Sequence, residues 1–266
     1  MSVSVIIPAY NVEEYIGTCL SCLTQQSLKD IEIICVDDGS TDRTVDIIKE
    51  YLNIDSRIKL LIQKHAGAGA ARNNGMDNAT RKYISFIDAD DKIDFNFLQL
   101  LFEKAEAYDA DIAAAGLIRI KGKLNKKLVD YKKSEKTLDL AQKTKLLRYP
   151  YIESVANKLF RLDFIKKNNI CFQTIETSED KLFVLQSILK CKNVVSVPNT
   201  NYYYCDRFNS SVHKKDKKTK ANKKLMRMFA IKLLQKDSEI GLRRLVRLIK
   251  LSLFSKKRYI YKLLVK

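Results

Sequence analysis

No stretch of these 266 residues supplies the roughly 18–20 consecutive apolar residues that a membrane-spanning helix needs. The start of the chain, Met1 to Pro8, lacks the basic region and cleavage site of a secretory signal and reads as a strand. A cytoplasmic chain is therefore expected. Histidine is scarce, with only His65 and His213. The six cysteines are scattered, and the Cys-x-x-Cys pair Cys19 and Cys22 lies within a helical pattern with no second pair or nearby histidine. That excludes a zinc set and leaves the cysteines as reduced, mostly buried apolar residues. No helix-turn-helix, zinc finger or RNA-stacking pattern is present, so no nucleic-acid partner is expected.

What is present is globular: 46% apolar and 9% aromatic residues, enough for a full core. The net charge of +18 is unevenly placed. Residues 214–266 hold 19 Lys or Arg against Asp216, Asp237 and Glu239, whereas the first 213 residues are nearly neutral. Any charge-driven partner thus belongs to the C-terminal tail. There Leu242, Leu245, Val246, Ile249 and Leu253 form a helical stripe, while Arg243, Arg244, Arg247 and Lys250 occupy another sector. A basic, amphipathic, helical tail over 214–266 is expected, either packed on the domain or lying on an anionic membrane surface.

Strand and helix signals alternate through the first hundred residues. Strands are expected at Val3 to Pro8, Ile31 to Val36, Ile58 to Ile62 and Tyr83 to Ile87, then at Ile112 to Ile120. Helices are expected at Glu13 to Gln25, Thr41 to Leu52 (capped by Ser40 or Thr41), Gly69 to Ala79 and Asp94 to Tyr108. The rhythm predicts an α/β fold, a mostly parallel sheet with helices on both faces. Residues 121–136 are Lys-rich and read as an exposed excursion. Beyond them the pattern predicts helices at Thr137 to Leu147, within Ser154 to Asn168 around Leu159-Phe160-Arg161, and at Ser178 to Leu189, with short strands at Val194 to Val197 and Tyr202 to Tyr204.

Two acidic clusters sit at strand ends: Asp37-Asp38-Gly39 and Asp88-Ala89-Asp90-Asp91. Clustered carboxylates repel unless a cation neutralises them, and hard divalent ions favour oxygen ligands. The plainer reading is a pair of acidic turns. Together they suggest one site at the C-terminal edge of the sheet, where open α/β folds bind ligands.

Five segments in order carry a resemblance: Ser4 to Asn11, Val36 to Asp42, Gly67 to Gly75, Asp88 to Asp91, and Ser178-Glu179-Asp180-Lys181-Leu182-Phe183. They resemble the inverting nucleotide-sugar glycosyltransferases of family 2, of the bacterial surface-polysaccharide type, whose fold is called GT-A. The resemblance runs from Val3 to about His213. It implies a domain over 1–213, with a nucleotide-sugar half (1–95) and an acceptor half (96–213). It further implies transfer of a hexose or N-acetylhexosamine from a UDP-sugar to a glycan or lipid-linked saccharide hydroxyl, with a divalent cation, Mn2+ or Mg2+. Lipid-linked acceptors would place the enzyme on the inner face of the membrane.

The resemblance makes Pro8, Ala9, Tyr10, Asn11, Asp37, Asp38, Gly67, Arg72, Asp88, Ala89 and Asp90 the donor site. Tyr10 is a base platform or an ordinary turn tyrosine, and Asp38 accepts the uracil N–H or caps the helix after Gly39, with Asp37 and Asp38 able to divide the two roles. Arg72 meets the diphosphate or pairs with the clustered aspartates. The metal candidates are Asp88, Asp90, Asp91 and His213. Asp180 matches the catalytic base, with Glu179 expected to point elsewhere; both would also complement a helix dipole. Glu179 and Arg207 are acceptor or phosphate candidates. Tyr202 to Ser210 resembles a Tyr-Arg-x-Arg-x-x-Ser stretch, with Cys205 where the first arginine is expected. A polyprenyl-phosphate sugar synthase is the nearest alternative. A nucleotidyltransferase would instead want a basic Gly-rich loop after the first strand, where this chain has Pro8-Ala9-Tyr10-Asn11.

Overall fold

The computed structural model describes residues 2–206 apart from 123, 150, 151, 153, 174 and 176–178. The calls on Arg207, His213 and the tail lie outside these residues. The first 95 residues contain β1 (Val3–Ala9), α1 (Ile16–Thr24), β2 (Ile31–Asp37), α2 (Thr44–Leu52), β3 (Ile58–Ile62), α3 (Ala68–Asp77), β4 (Tyr83–Phe86) and β5 (Lys92–Ile93). The remainder contains α4 (Phe97–Ala107), β6 (Ile112–Lys121), β7 (Leu124–Val129), β8 (Lys136–Thr137), α5 (Leu140–Leu146), β9 (Lys158–Arg161), α6 (Leu162–Lys167), α7 (Glu179–Lys190) and β10 (Val194–Cys205).

One ten-stranded sheet runs β3-β2-β1-β4-β9-β6-β10-β5, with β7 on β6 and β8 on β10. The strands β1 and β2 are buried at almost every position, as parallel strands covered on both faces must be. Two apolar clusters flank the sheet. One gathers α1 and α4 around Leu20, Leu23, Phe97 and Leu101; the other gathers α3, α6 and α7 around Ala71, Ile165, Phe183 and Ile188.

The sheet is mixed where a mostly parallel one was expected. β1, β2, β3 and β4 pair in parallel, as do β6 and β10, but β9 stands antiparallel between β4 and β6. The segment around Leu159-Phe160-Arg161 is therefore a buried strand, not a helix; the helix α6 begins only at Leu162. Residues 121–136 are likewise no free excursion, because β7 pairs antiparallel with the second half of β6. The two short strands near the end are one strand, β10, whose register shifts between Val197 and Asn201. The expected Ser40 or Thr41 cap is absent; α2 starts at Thr44, whose N–H donates to Asp42. Among the described residues no helix is long and apolar enough to cross a membrane.

Candidate active site

The parallel strands β1, β2 and β4 end on one edge of the sheet, and the loops that follow them build the site. Asp37 turns back to accept from the N–H groups of Gly39 and Ser40 at 3.2 Å. Asp38 is buried and accepts from the Ala66 and Gly67 N–H groups and from Gln63 Nε2, each at 2.8 Å. His65 Nδ1 lies 2.9 Å from the same carboxylate. The division of labour is thus firm: Asp37 caps the turn after β2, and Asp38 organises the 63–67 segment ahead of α3. Gly67 takes φ +94° there, a conformation that costs a side-chain-bearing residue. Tyr10, 44% exposed, stacks on His65 with ring centroids 4.1 Å apart, leaving an aromatic platform open at the sheet edge. Asn11 Oδ1 accepts from Thr41 N, tying the loop after β1 to the loop after β2.

The centre of the arrangement is Arg72 on α3, with 5% of its side chain exposed. Nη2 donates to Asp88 Oδ1 at 2.8 Å, Nη1 donates to Glu179 Oε1 at 2.9 Å, and Asp180 Oδ1 lies 3.0 Å from Nη1. Burial opposes the guanidinium charge, but Asp180, Asp88 and Glu179 hold it protonated. Glu179 was expected to point away; the first turn of α7 instead presents both of its carboxylates to Arg72. Phe172 supports the cluster from below. The Arg72 guanidinium sits 5.3 Å from its ring, which stacks on Phe183, and Asn73 grips its backbone N–H and C=O at 2.9 Å. A helix following β3 and a helix a hundred residues later are joined in this way.

Asp180 Oδ1 is buried with no well-formed hydrogen bond, although it faces Arg72. Burial, then the charges of Glu179 and Asp88, push its carboxyl up to about 7 against the pull of Arg72. A carboxylate with proton affinity near neutral pH is suited to general-base work.

Asp88, Asp90 and Asp91 do not converge. Asp91 is buried, accepting from Tyr202 Oη at 2.6 Å and Cys205 N at 2.8 Å, so its two oxygens pin the loop to β10. Burial, reinforced by Asp88 and Asp90, pushes it up to about 8. Asp91, one of the expected metal candidates, thus has both oxygens engaged within the protein. Tyr202 also accepts from Asp88 N, which fixes the loop at a second point. Asp88 keeps 30% of its side chain exposed, and Asp90 is partly exposed. Among the described residues no group of three or more His, Cys, Asp or Glu is placed to hold a metal by itself. Asp88 and Asp90, both partly exposed, supply the oxygen donors that a hard cation favours and would hold one together with ligand oxygens and water.

Sequence reading missed two supports: Asn73 and Tyr202 as the anchor of the acidic loop. Tyr202 lay within a motif already singled out.

The family model described as "Glycosyl transferase family 2" matches residues 4–168. Among curated relatives, the uncharacterized glycosyltransferase EpsJ of Bacillus subtilis is 32% identical over 213 residues, covering 78% of this chain and 62% of EpsJ. The poly(ribitol-phosphate) beta-glucosyltransferase of Bacillus spizizenii is 32% identical over 209 residues, covering 77% of this chain and 32% of that protein. The chain thus spans less than two thirds of either relative. The crystal structure of S. aureus TarS 1–349 in complex with UDP-GlcNAc superposes with a TM-score of 0.81 at 23% identity, covering 94% of this chain and 70% of that one. It establishes the shared fold.

Proposed function

The chain belongs to glycosyl transferase family 2, and from that premise we propose that it transfers a sugar from a UDP-sugar to a hydroxyl of a growing glycan or lipid-linked saccharide, inverting the anomeric centre. The observation that carries this reading is the Arg72 cluster. One buried guanidinium joins the strand-end aspartate Asp88 to the helix-start pair Glu179 and Asp180, so donor-side and acceptor-side carboxylates share one edge.

In this reading the Tyr10–His65 platform receives the base, and the Asp38-bound loop with Gly67 gives the backbone close access to the nucleotide. Asp88 and Asp90 would hold Mn2+ or Mg2+, which supplies Lewis-acid neutralisation of the leaving diphosphate. Asp180 takes the proton of the acceptor hydroxyl. That oxygen bonds to the anomeric carbon as the carbon–phosphate-oxygen bond breaks, and a single displacement inverts the centre. Arg72 keeps the carboxylates apart before the donor enters and offers a planar charge to its phosphates. One curated relative is by its name a poly(ribitol-phosphate) beta-glucosyltransferase, which supports transfer of a sugar to an acceptor hydroxyl.

Thermal unfolding with and without nucleotides tests the donor reading. A ligand at 100 times its Kd adds about 2.7 kcal/mol. UDP with Mn2+ should raise the Tm, and a chelator should reduce the shift. A Tm unmoved by UDP and UDP-sugars, with or without Mn2+, would overturn the proposal.

A further inference from the structure

We propose that Tyr202 is a positioning residue for the candidate cation site, its hydroxyl holding the Asp88–Asp91 turn in a cation-ready shape before a cation arrives; the inference rests on the function proposed above and adds a support to its donor side. Tyr202 is fully buried on β10. Its backbone pairs with Leu117 of β6 on one side and with Ile93 of β5 on the other, and its ring packs on Phe97 of α4 with centroids 6.1 Å apart. Sheet and core thus fix the ring, and a phenylalanine would pack there as well. The hydroxyl is a separate matter, because a buried hydroxyl costs free energy unless its hydrogen bonds are made.

Both of its hydrogen bonds go to the acidic turn. Oη donates to Asp91 Oδ2 at 2.6 Å and accepts from Asp88 N at 3.2 Å. The other Asp91 oxygen accepts from Cys205 N at 2.8 Å, further along the same strand. Asp91 N donates to Asp88 O at 3.0 Å and closes the turn. The backbone of Asp88 is therefore held at its N–H and at its C=O, and Asp90 lies between two anchored residues. The Asp88 carboxylate remains at the surface of this frame, 30% exposed and 2.8 Å from Arg72.

The carboxylates of Asp88, Asp90 and Asp91 repel one another, and an unsupported turn would open to part them. Tyr202 opposes that opening by bridging the two ends of the turn through one oxygen. Donation to the Asp91 carboxylate also makes that oxygen a better acceptor for the Asp88 N–H. The bland alternative is a tyrosine that merely secures β5 and its flanks to β10. Its neighbours already do so: Tyr203 Oη donates to Asp94 Oδ1 and Asn201 N to Asp94 Oδ2, each at 2.8 Å. The Tyr202 hydroxyl alone among these reaches Asp88 and Asp91.

Calorimetric titration of UDP into the full chain at a series of Mn2+ concentrations tests this, with Tm recorded for each variant. Tyr202→Phe should raise the Mn2+ concentration that gives half of the full UDP affinity by about 10–100-fold, the scale for losing an outer partner of a metal site. Excess Mn2+ should then restore the wild-type affinity. Tyr203→Phe, which removes the neighbouring hydroxyl from Asp94, should leave the Mn2+ midpoint unchanged. If Tyr202→Phe does not fold, hydrogen–deuterium exchange of the wild-type chain over 87–92 takes its place. Protection already present without Mn2+ and UDP supports the inference, and protection that arises only on adding them overturns it. An unchanged midpoint in Tyr202→Phe, an equal shift in Tyr203→Phe, or an affinity that excess Mn2+ does not restore overturns the inference alone. A wild-type chain whose UDP binding does not respond to Mn2+ overturns the cation of the proposed function and the inference with it.

Discussion

Glu32 shows how this chain treats a carboxylate it keeps for structure. It sits within β2, with 3% of its side chain exposed, and accepts from Lys59 Nζ at 2.8 Å, Thr80 N at 2.7 Å and Ser4 Oγ. Burial works against its charge, but Lys59, Ser4 and Thr80 win and hold it down at about 2. A carboxyl lowered in the fold contributes stability that is complete above its unfolded value near 4.3 and lost as pH falls toward the folded value. The loss is on the order of 3 kcal/mol. Urea unfolding at pH 7 and pH 3 checks this. Glu32→Gln should be less stable than wild type at pH 7 and should lose less on acidification; equal acid sensitivity of the two would contradict it. Asp180 is held the opposite way: burial and the charges of Glu179 and Asp88 raise its proton affinity against the pull of Arg72. Asp88, Arg72 and Asp180 were legible in the sequence because charges at strand ends and helix starts stand out against apolar runs. The inward turn of Asp91 onto Tyr202 and the burial of Lys158 were not, since residue type does not reveal which way a side chain points.

At the scale of elements, α3 matters most, because it carries Arg72 and lies directly against β1. Gly75 makes that approach possible: a Cβ there would collide with Ile6 Cγ2. Gly75→Ala should therefore destabilise by about 1–3 kcal/mol and lower the Tm by about 2–12 °C. Calorimetry would show it, and an unchanged Tm would mean that the helix can lift off the strand without loss. The elements that sequence reading found are those with long apolar periods, β1, β2 and α4 among them. β9 escaped because four residues, Lys158 to Arg161, run straight into α6, and a short buried strand has no alternation to separate it from a helix. β7 escaped because its Lys126 and Lys127 mark an exposed strand, and lysine there discourages pairing with other chains rather than signalling pairing with its own. β10 read as two strands because Pro198 and Asn199, the latter at φ +63°, interrupt it at the register shift.

At the scale of the described residues, the parallel strand edge is joined through Arg72 to a helix about a hundred residues later. β9, inserted antiparallel between β4 and β6, continues one sheet from the first half of the domain into the second. The fold class was legible from the alternating pattern; the antiparallel insertion was not, because pairing partners far apart in sequence leave no local trace. The excess of basic residues over 214–266 belongs to this scale too. Basic residues near an anionic leaflet contribute on the order of 1 kcal/mol each. The full chain should therefore sediment with anionic vesicles, bind neutral ones poorly, and release as salt rises; equal binding to both vesicle types would contradict a charge-driven membrane contact. The central claim, that Asp180 in the Arg72 cluster is the base of a UDP-sugar transferase, is tested most directly by Asp180→Asn. This change keeps size and polarity but removes proton acceptance, so turnover should fall by about 10²–10⁴-fold while calorimetry shows UDP binding as in the wild type. Wild-type turnover by the Asp180→Asn protein, or loss of UDP binding in place of turnover, would contradict it.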